Sequence, residues 1–270
     1  MRLRALPSLP TLCRVCHRWQ PRWLCLGCRD TAQSVQHRCV RCALPITEAE
    51  HEASGRCSPC EDLPPMFDHA LVALDYAEPW SSLVSALKFR QDTALADGLA
   101  GLLAHTVRQR WHADSGTPVG ARAGARTALS HRWRPGAPTL LVPVPLSAPR
   151  WRERGYNQSA LLAQHLSERL GLATCPEALV RTQHTERLMH LDADARAAAI
   201  ARAFAVPPTM ARQVHGRHVA LVDDVLTTGA TANAAARALW EAGAREVSVW
   251  AVARTPAPHR AIIDKSAMNA

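Results

Sequence analysis

A chain of 270 residues, 47% hydrophobic and 20% charged, has material for one α/β core plus a smaller module, which sets aside a disordered chain. The formal charge of +9 favours anionic partners. No apolar run approaches the length that spans a bilayer, and Met1 to Leu12 lacks the apolar core of a signal peptide, so a cytoplasmic location is expected.

Eight of the nine cysteines form C-x-x-C pairs: Cys13/Cys16, Cys25/Cys28, Cys39/Cys42 and Cys57/Cys60. In a cytoplasmic chain such pairs read as metal ligands rather than disulfides, and two pairs complete one closed tetrahedral zinc site. Four pairs imply two structural zinc ions. Pairing in chain order needs the shorter loops and is preferred to an interleaved arrangement. The metal then replaces the apolar core that Met1 to Glu61 is too short and too polar to build. Cys175 stands alone and reads as a packed residue.

The first knuckle interleaves Arg14, Arg18, Trp19, Arg22 and Trp23. That mixture could hold phosphates and stack bases of single-stranded DNA, or it could cover the zinc core with tryptophan and leave the arginines in water.

Pro64-Pro65 closes this front end, expected to occupy residues 1–64. Ala70 to Tyr76 reads as the first strand of a main domain over residues 65–260. Trp80, Leu83, Val84 and Leu87 recur at helical spacing, and Leu95, Leu99, Leu102, Leu103 and Val107 mark a second helix. Lys88 and Arg90, at the end of the first, could turn toward an anionic ligand or into solvent. From Trp111 to Pro138 periodicity gives way to Gly, Ala, Pro, Thr and Arg, and a basic surface insertion is expected over 111–138.

Thr139 to Pro145 reads as a buried strand. Arg150, Arg152 and Arg154, followed by Gly155, stand after it at alternate positions and suggest a clamp for a diphosphate. Asn157 is placed to cap a helix carrying Leu161, Leu162, His165, Leu166 and Leu170 and stopping at Gly171. Ala193 to Ala203 reads as helix. His184 and His190 precede it, each either a general base or an inert surface histidine.

The stretch from His218 to Thr231 is the most informative. Val219 to Val222 are apolar without alternation, as in a strand buried on both faces of a parallel sheet. Asp223 and Asp224 follow, and then Thr227-Thr228-Gly229-Ala230-Thr231 leads into an alanine-rich helix, Ala232 to Trp240, closed by Gly243. A tight turn feeding a helix N-terminus offers free N–H groups and the positive end of the dipole, which suit a phosphate. No lysine follows the glycine, so this is not a Walker loop. Paired carboxylates beside a phosphate need hydroxyls or a metal ion to face, and a sugar phosphate supplies the hydroxyls. Glu246 to Ala253 reads as the next strand, with Val247, Val249 and Ala251 on one face; the tail, residues 261–270, carries no pattern.

The last motif resembles the 5-phosphoribosyl 1-diphosphate (PRPP) signature of type I phosphoribosyltransferases. Together with the cysteine pairs, the A-L-K-F-R of Ala86 to Arg90 and the E-R-G-Y-N-Q of Glu153 to Gln158, it is similar to the ComF family. The resemblance implies a type I phosphoribosyltransferase-like parallel sheet preceded by a double zinc-ribbon module, and links to DNA uptake and its partner proteins. It implies that Asp223 and Asp224 hold ribose, Thr227 to Thr231 the 5′-phosphate, the loop after Pro145 the diphosphate, and that magnesium accompanies PRPP. One segment departs from the family pattern: Thr185, Leu191, Arg196 and Phe204 fit, but Leu188 and Ala199 stand where relatives have glutamine and asparagine.

Overall fold

A computed structural model describes residues 11–32, 37–115, 138–182 and 203–256. The expected helix over Ala193 to Ala203 (its last residue excepted), His184, His190, the departing positions Leu188 and Ala199, and the tail lie outside these residues. So does most of the 111–138 insertion.

The front end is built from short pieces. Strands β1 (Thr11–Leu12) and β2 (Trp19–Gln20) pair antiparallel, and helices α1 (Leu26–Ala32), α2 (Glu48–Ala53) and α3 (Ser58–Asp62) follow. Thr47 caps α2 in a reciprocal box with Glu50.

The main sheet contains β3 (His69–Asp75), β4 (Leu140–Pro143), β7 (His218–Leu226) and β8 (Glu246–Arg254) in the order β3-β8-β7-β4, every neighbouring pair parallel. A small antiparallel pair, β5 (Val180–Arg181) and β6 (Phe204–Ala205), lies outside it. Helices α4 (Trp80–Phe89), α5 (Leu95–Ser115), α6 (Ala148–Arg154), α7 (Gln158–Leu170), α8 (Ala211–Val214) and α9 (Ala230–Glu241) accompany the sheet, with short 3-10 turns at Pro176–Ala178 and Pro208–Met210.

Parallel strands covered on both faces need apolar side chains on both, which explains the unbroken run Val219 to Val222. Ala220 and Val222 join one core with Leu87, Leu99, Leu103, Leu162 and Trp250, under α4, α5 and α7. Val219 and Leu221 join the other with Ala235, Leu239, Val247, Val249 and Ala251, under α9. The shared face expected of Val247, Val249 and Ala251 is therefore present.

Several boundaries differ from those the sequence suggests, three of them for reasons visible in the packing. Helix α5 continues through Trp111 to Ser115, because Trp111 packs its ring against Trp250, with centroids 6.1 Å apart, and this tertiary contact outweighs the fading periodicity. Strand β7 runs through both aspartates to Leu226, its ladder with β8 continuing past them. Ala203 lies outside a helix, its carbonyl accepting from the Thr182 N–H as part of the β5/β6 ladder.

The first cysteine knuckle is packed onto the main core: Cys13 and Leu24 are buried in the same cluster as α5, with Trp23 against it. Gly98 makes room for that ring. A Cβ at Gly98 would stand 2.1 Å from Trp23 Cε2. Gly98→Ala gains up to about 1 kcal/mol of helix propensity but forces the indole outward, and a net loss of roughly 1–3 kcal/mol is expected. A urea melt showing equal or greater stability would remove the proposed contact.

Candidate functional site

The site forms where β7 ends. Asp224 is 2% exposed and is reached from two helices: Lys88 Nζ of α4 stands 3.2 Å from its Oδ2, and Gln158 Nε2 of α7 donates to the same oxygen at 3.3 Å. Its Oδ1 accepts from the Val225 N–H at 2.8 Å. Asp223 accepts at Oδ1 from Ser159 Oγ at 3.0 Å and from the Asp224 N–H at 2.9 Å. The first two residues of α7 thus hold both acids.

Asn157 is what aims them. Its side-chain oxygen accepts from the Ser159 N–H at 3.0 Å and caps α7, while its Nδ2 donates to the Val144 carbonyl at 3.0 Å just after β4. Behind it, buried Arg154 donates to Gln158 Oε1 at 3.0 Å and lies over the Phe89 ring at 5.0 Å. Tyr156 donates to the Leu87 carbonyl. The E-R-G-Y-N-Q segment and the A-L-K-F-R segment are two sides of one bracket around Asp224.

Electrostatics sets the two acids apart. Burial pushes the Asp223 carboxyl up to about 7, and the neighbouring Asp224 charge pushes the same way; the Asp224 N–H, Lys88 and Ser159 oppose it. A raised folded-state pKa means that this group stabilises the ligand-free protein in acid, and that the contribution is lost as pH rises through about 7.

The crook after β7 is open. Thr227 and Thr228 are exposed, Gly229 adopts φ +83° as the N-cap of α9, and Thr228 Oγ accepts from the Ala230 N–H at 3.4 Å. That left-handed backbone is where glycine is required. The helix begins at Ala230, earlier than the Ala232 expected, so Ala230 and Thr231 form its first turn, with N–H groups free of intrahelical partners.

Sequence reasoning missed Arg254, which ties this crook down from behind. The residue is 6% exposed; its Nη1 donates to the carbonyls of Leu226 at 2.9 Å, Thr255 at 2.8 Å and Thr227, and its Nε donates to the Cys42 carbonyl at 2.9 Å. One signal was available, a guanidinium directly after the apolar run Val249 to Ala253. A cleft of about 680 Å³ opens beside the crook, lined by Thr228, Gly229, Asn233, Arg254 and the Pro64-Pro65-Met66 segment. Gln158 and Ser159 were also missed as partners of the acids.

The three arginines suggested as a clamp are not brought together. They lie on or beside one helical turn of α6, where positions two apart point to different sides. Arg154 is buried against Gln158, whereas Arg150 and Arg152 are exposed, and Gly155 ends the helix at φ +76°.

The eight paired cysteines gather into two groups in chain order, Cys13/Cys16/Cys25/Cys28 and Cys39/Cys42/Cys57/Cys60, with the sulfurs of each group within 4.8 Å of one another. Cys16 Sγ and Cys25 Sγ are 3.7 Å apart, Cys42 Sγ and Cys57 Sγ 3.5 Å, near the ~3.8 Å edge of a tetrahedron with ~2.3 Å bonds and far beyond a disulfide. The residues fit zinc. The first knuckle's interleaved residues divide: Trp23 is packed on α5, Arg14 pairs with Asp92, and Arg18, Arg22 and Trp19 remain exposed, Trp19 at 72%.

Comparison with known proteins agrees with this geometry. The Phosphoribosyl transferase domain family matches residues 157–267, from the α7 cap through the acids and the crook. The chain is 33% identical over 250 residues to the DNA utilization protein YhgH of Escherichia coli K12, covering 93% of this chain and 98% of that protein. It belongs to the ComF/YhgH family. Competence protein F of Haemophilus influenzae is 32% identical over 231 residues, 86% of this chain and 90% of that protein. Competence protein ComFC of Bacillus subtilis is 35% identical over 120 residues, 43% of this chain and 45% of that protein. Among the described residues of this ComF/YhgH chain, no helix is long and apolar enough to cross a membrane.

Proposed function

We propose that this ComF/YhgH protein binds PRPP or a closely related phosphosugar with magnesium, at Asp223, Asp224 and the crook from Thr227 to Thr231. The reading rests on one arrangement: two acids at the end of a buried strand, braced by Lys88, Gln158 and Ser159, running directly into a glycine turn that opens a helix. The carboxylates accept from the ribose hydroxyls, and the first-turn N–H groups with Thr227, Thr228 and Thr231 hold the 5′-phosphate. Magnesium supplies charge neutralisation at the diphosphate, for which Arg150, Arg152 and Gly155 are the nearest candidates in sequence; buried Arg154 acts by positioning Gln158. With an acceptor supplied, the reaction class is pentosyl transfer, in which a nucleophile displaces diphosphate at C1 and catalysis comes from positioning and charge stabilisation. Each four-cysteine group holds one structural zinc ion, closed to substrate.

Calorimetric titration with Mg-PRPP tests the reading. Saturable binding at one site is expected, and heats of dilution alone would refute it. Accepting hydroxyls requires ionised Asp223, so binding draws the proton off. With that carboxyl at about 7, lowering the pH from 7.5 to 5.5 is expected to weaken the complex about 25-fold beyond the slope of Asp223→Asn, which keeps only the ligand's own titration. Equal slopes would show that Asp223 does not meet the sugar.

A second reading, single-stranded DNA on the first knuckle, is favoured by exposed Trp19 and by a cleft of about 800 Å³ lined by Arg22, Arg29, Arg108 and His105, together with Arg169 paired to Asp97. The names of the relatives point the same way. Salt-sensitive binding of an oligonucleotide is expected to weaken on the order of 10-fold in Trp19→Ala, since a stacked base contributes about 1–3 kcal/mol. Indifference to both Trp19→Ala and Arg18→Ala in fluorescence anisotropy would exclude this surface.

A further inference from the structure

We propose that the protein carries a third metal site, for a zinc-type divalent ion, with His69, His218 and Glu246 as its ligands. Each of these is the first residue of its strand, β3, β7 and β8 respectively. The strands are parallel, so the three lie at the end of the sheet opposite Asp223 and Asp224. β8 runs between the other two, which places Glu246 between the histidines. Glu246 is in register with His218, and His69 is level with Ser248, two residues along and on the same face of β8.

The side-chain atoms converge. The two ring nitrogens and the carboxylate lie within 4.8 Å of one another. His69 Nδ1 is 3.6 Å from Glu246 Oε1, and His218 Nδ1 is 3.6 Å from Oε2. Both gaps exceed an ordinary hydrogen bond of about 2.7–3.2 Å. They approach the ~3.3 Å that separates two ligands bonded at ~2.0 Å to a tetrahedral ion.

The far side of one ring is held by a hydroxyl, as metal-bound imidazoles usually are. His218 Nε2 is 2.9 Å from Ser248 Oγ, and that hydroxyl reaches the Val219 carbonyl at 3.5 Å. In the tautomer whose Nε2–H donates to this hydroxyl, His218 offers the Nδ1 lone pair to an ion beside the glutamate. Both histidines are 1% exposed, while the Glu246 side chain is 22% exposed, so the ion is reached from the glutamate side and keeps a position for water. Two imidazoles and one carboxylate suit zinc and its neighbours; magnesium and calcium prefer oxygen alone.

The test uses full-length protein whose cysteine groups have first been filled with zinc, titrated with cobalt(II). One further equivalent is expected to bind and give visible ligand-field bands with no thiolate charge-transfer band, and Glu246→Gln is expected to weaken it at least 10-fold while total zinc on the cysteines is unchanged. Wild-type protein that takes up no further equivalent overturns the site, leaving a proton rather than a metal between the rings and Glu246. An extra ion with thiolate bands, or one retained undiminished by folded Glu246→Gln, overturns it too. Should that variant fail to fold, the wild-type stoichiometry and spectrum decide alone, and neither depends on PRPP binding.

Discussion

Asp224→Asn is expected to reduce Mg-PRPP affinity on the order of 100-fold, through loss of charge-assisted hydrogen bonds to ribose worth roughly 1.5–3 kcal/mol each. The same change strips Lys88 of its counter-charge. Breaking a fully buried pair costs about 3–5 kcal/mol, but Lys88 keeps 24% of its side chain exposed, so water recovers part of that and a loss of about 1–3 kcal/mol is expected. Adding Lys88→Met removes the stranded ammonium and is expected to restore stability without restoring affinity. A double variant less stable than Asp224→Asn would mean that Lys88 is held by something other than this aspartate. Affinity unchanged in the single variant, measured by calorimetry, would remove Asp224 from the binding site.

The second large effect is expected at the second cysteine group. Cys39, Cys42, Cys57 and Cys60 form a cluster of their own, and among the described residues Leu44 and Ile46 are the partly buried apolar side chains packed against it. A structural zinc contributes about 10–16 kcal/mol in small domains, comparable to the whole stability of an ordinary domain at about 5–15 kcal/mol, so nothing else there can replace it. Cys39→Ser with Cys60→Ser is expected to lose one zinc equivalent, to lower Tm by about 10 °C or more, and to weaken Mg-PRPP binding. The last effect travels through Arg254, whose Nε holds the Cys42 carbonyl while its Nη1 holds the backbone of the crook. Cys13→Ser with Cys28→Ser is expected to lose one zinc equivalent and to loosen the packing of Trp23 on α5, with PRPP affinity retained. Metal analysis alongside calorimetry separates the two. Equal affinity losses in both pairs would show that global destabilisation, not the Arg254 tether, connects zinc to the crook.

The parts of this molecule that were legible in sequence are those governed by local rules. Val219 to Val222 announced a doubly covered strand, Asn157 a helix cap and Thr227 to Thr231 a tight turn opening a helix, because each is dictated by a residue's own backbone and solvation preferences. The cysteine groups were legible because chain-order pairing closes the shorter loops. What escaped depends on contacts between distant segments. The extension of α5 to Ser115 follows from Trp111 meeting Trp250 across the core. The roles of Gln158, Ser159 and Arg254 are set by partners 66, 64 and 212 residues away. Arg150, Arg152 and Arg154 looked like one clamp on a loop, and their separation arises because the segment is helical and Phe89 with Gln158 draws the last of them inward.

Amide hydrogen exchange of the full chain with and without Mg-PRPP tests most directly whether a phosphorylated pentose is held where β7 meets α9. Slowed exchange is expected in peptides covering residues 223–234, with little change over the two cysteine groups. Saturating ligand that leaves 223–234 unprotected, or protects only the cysteine groups, would contradict it.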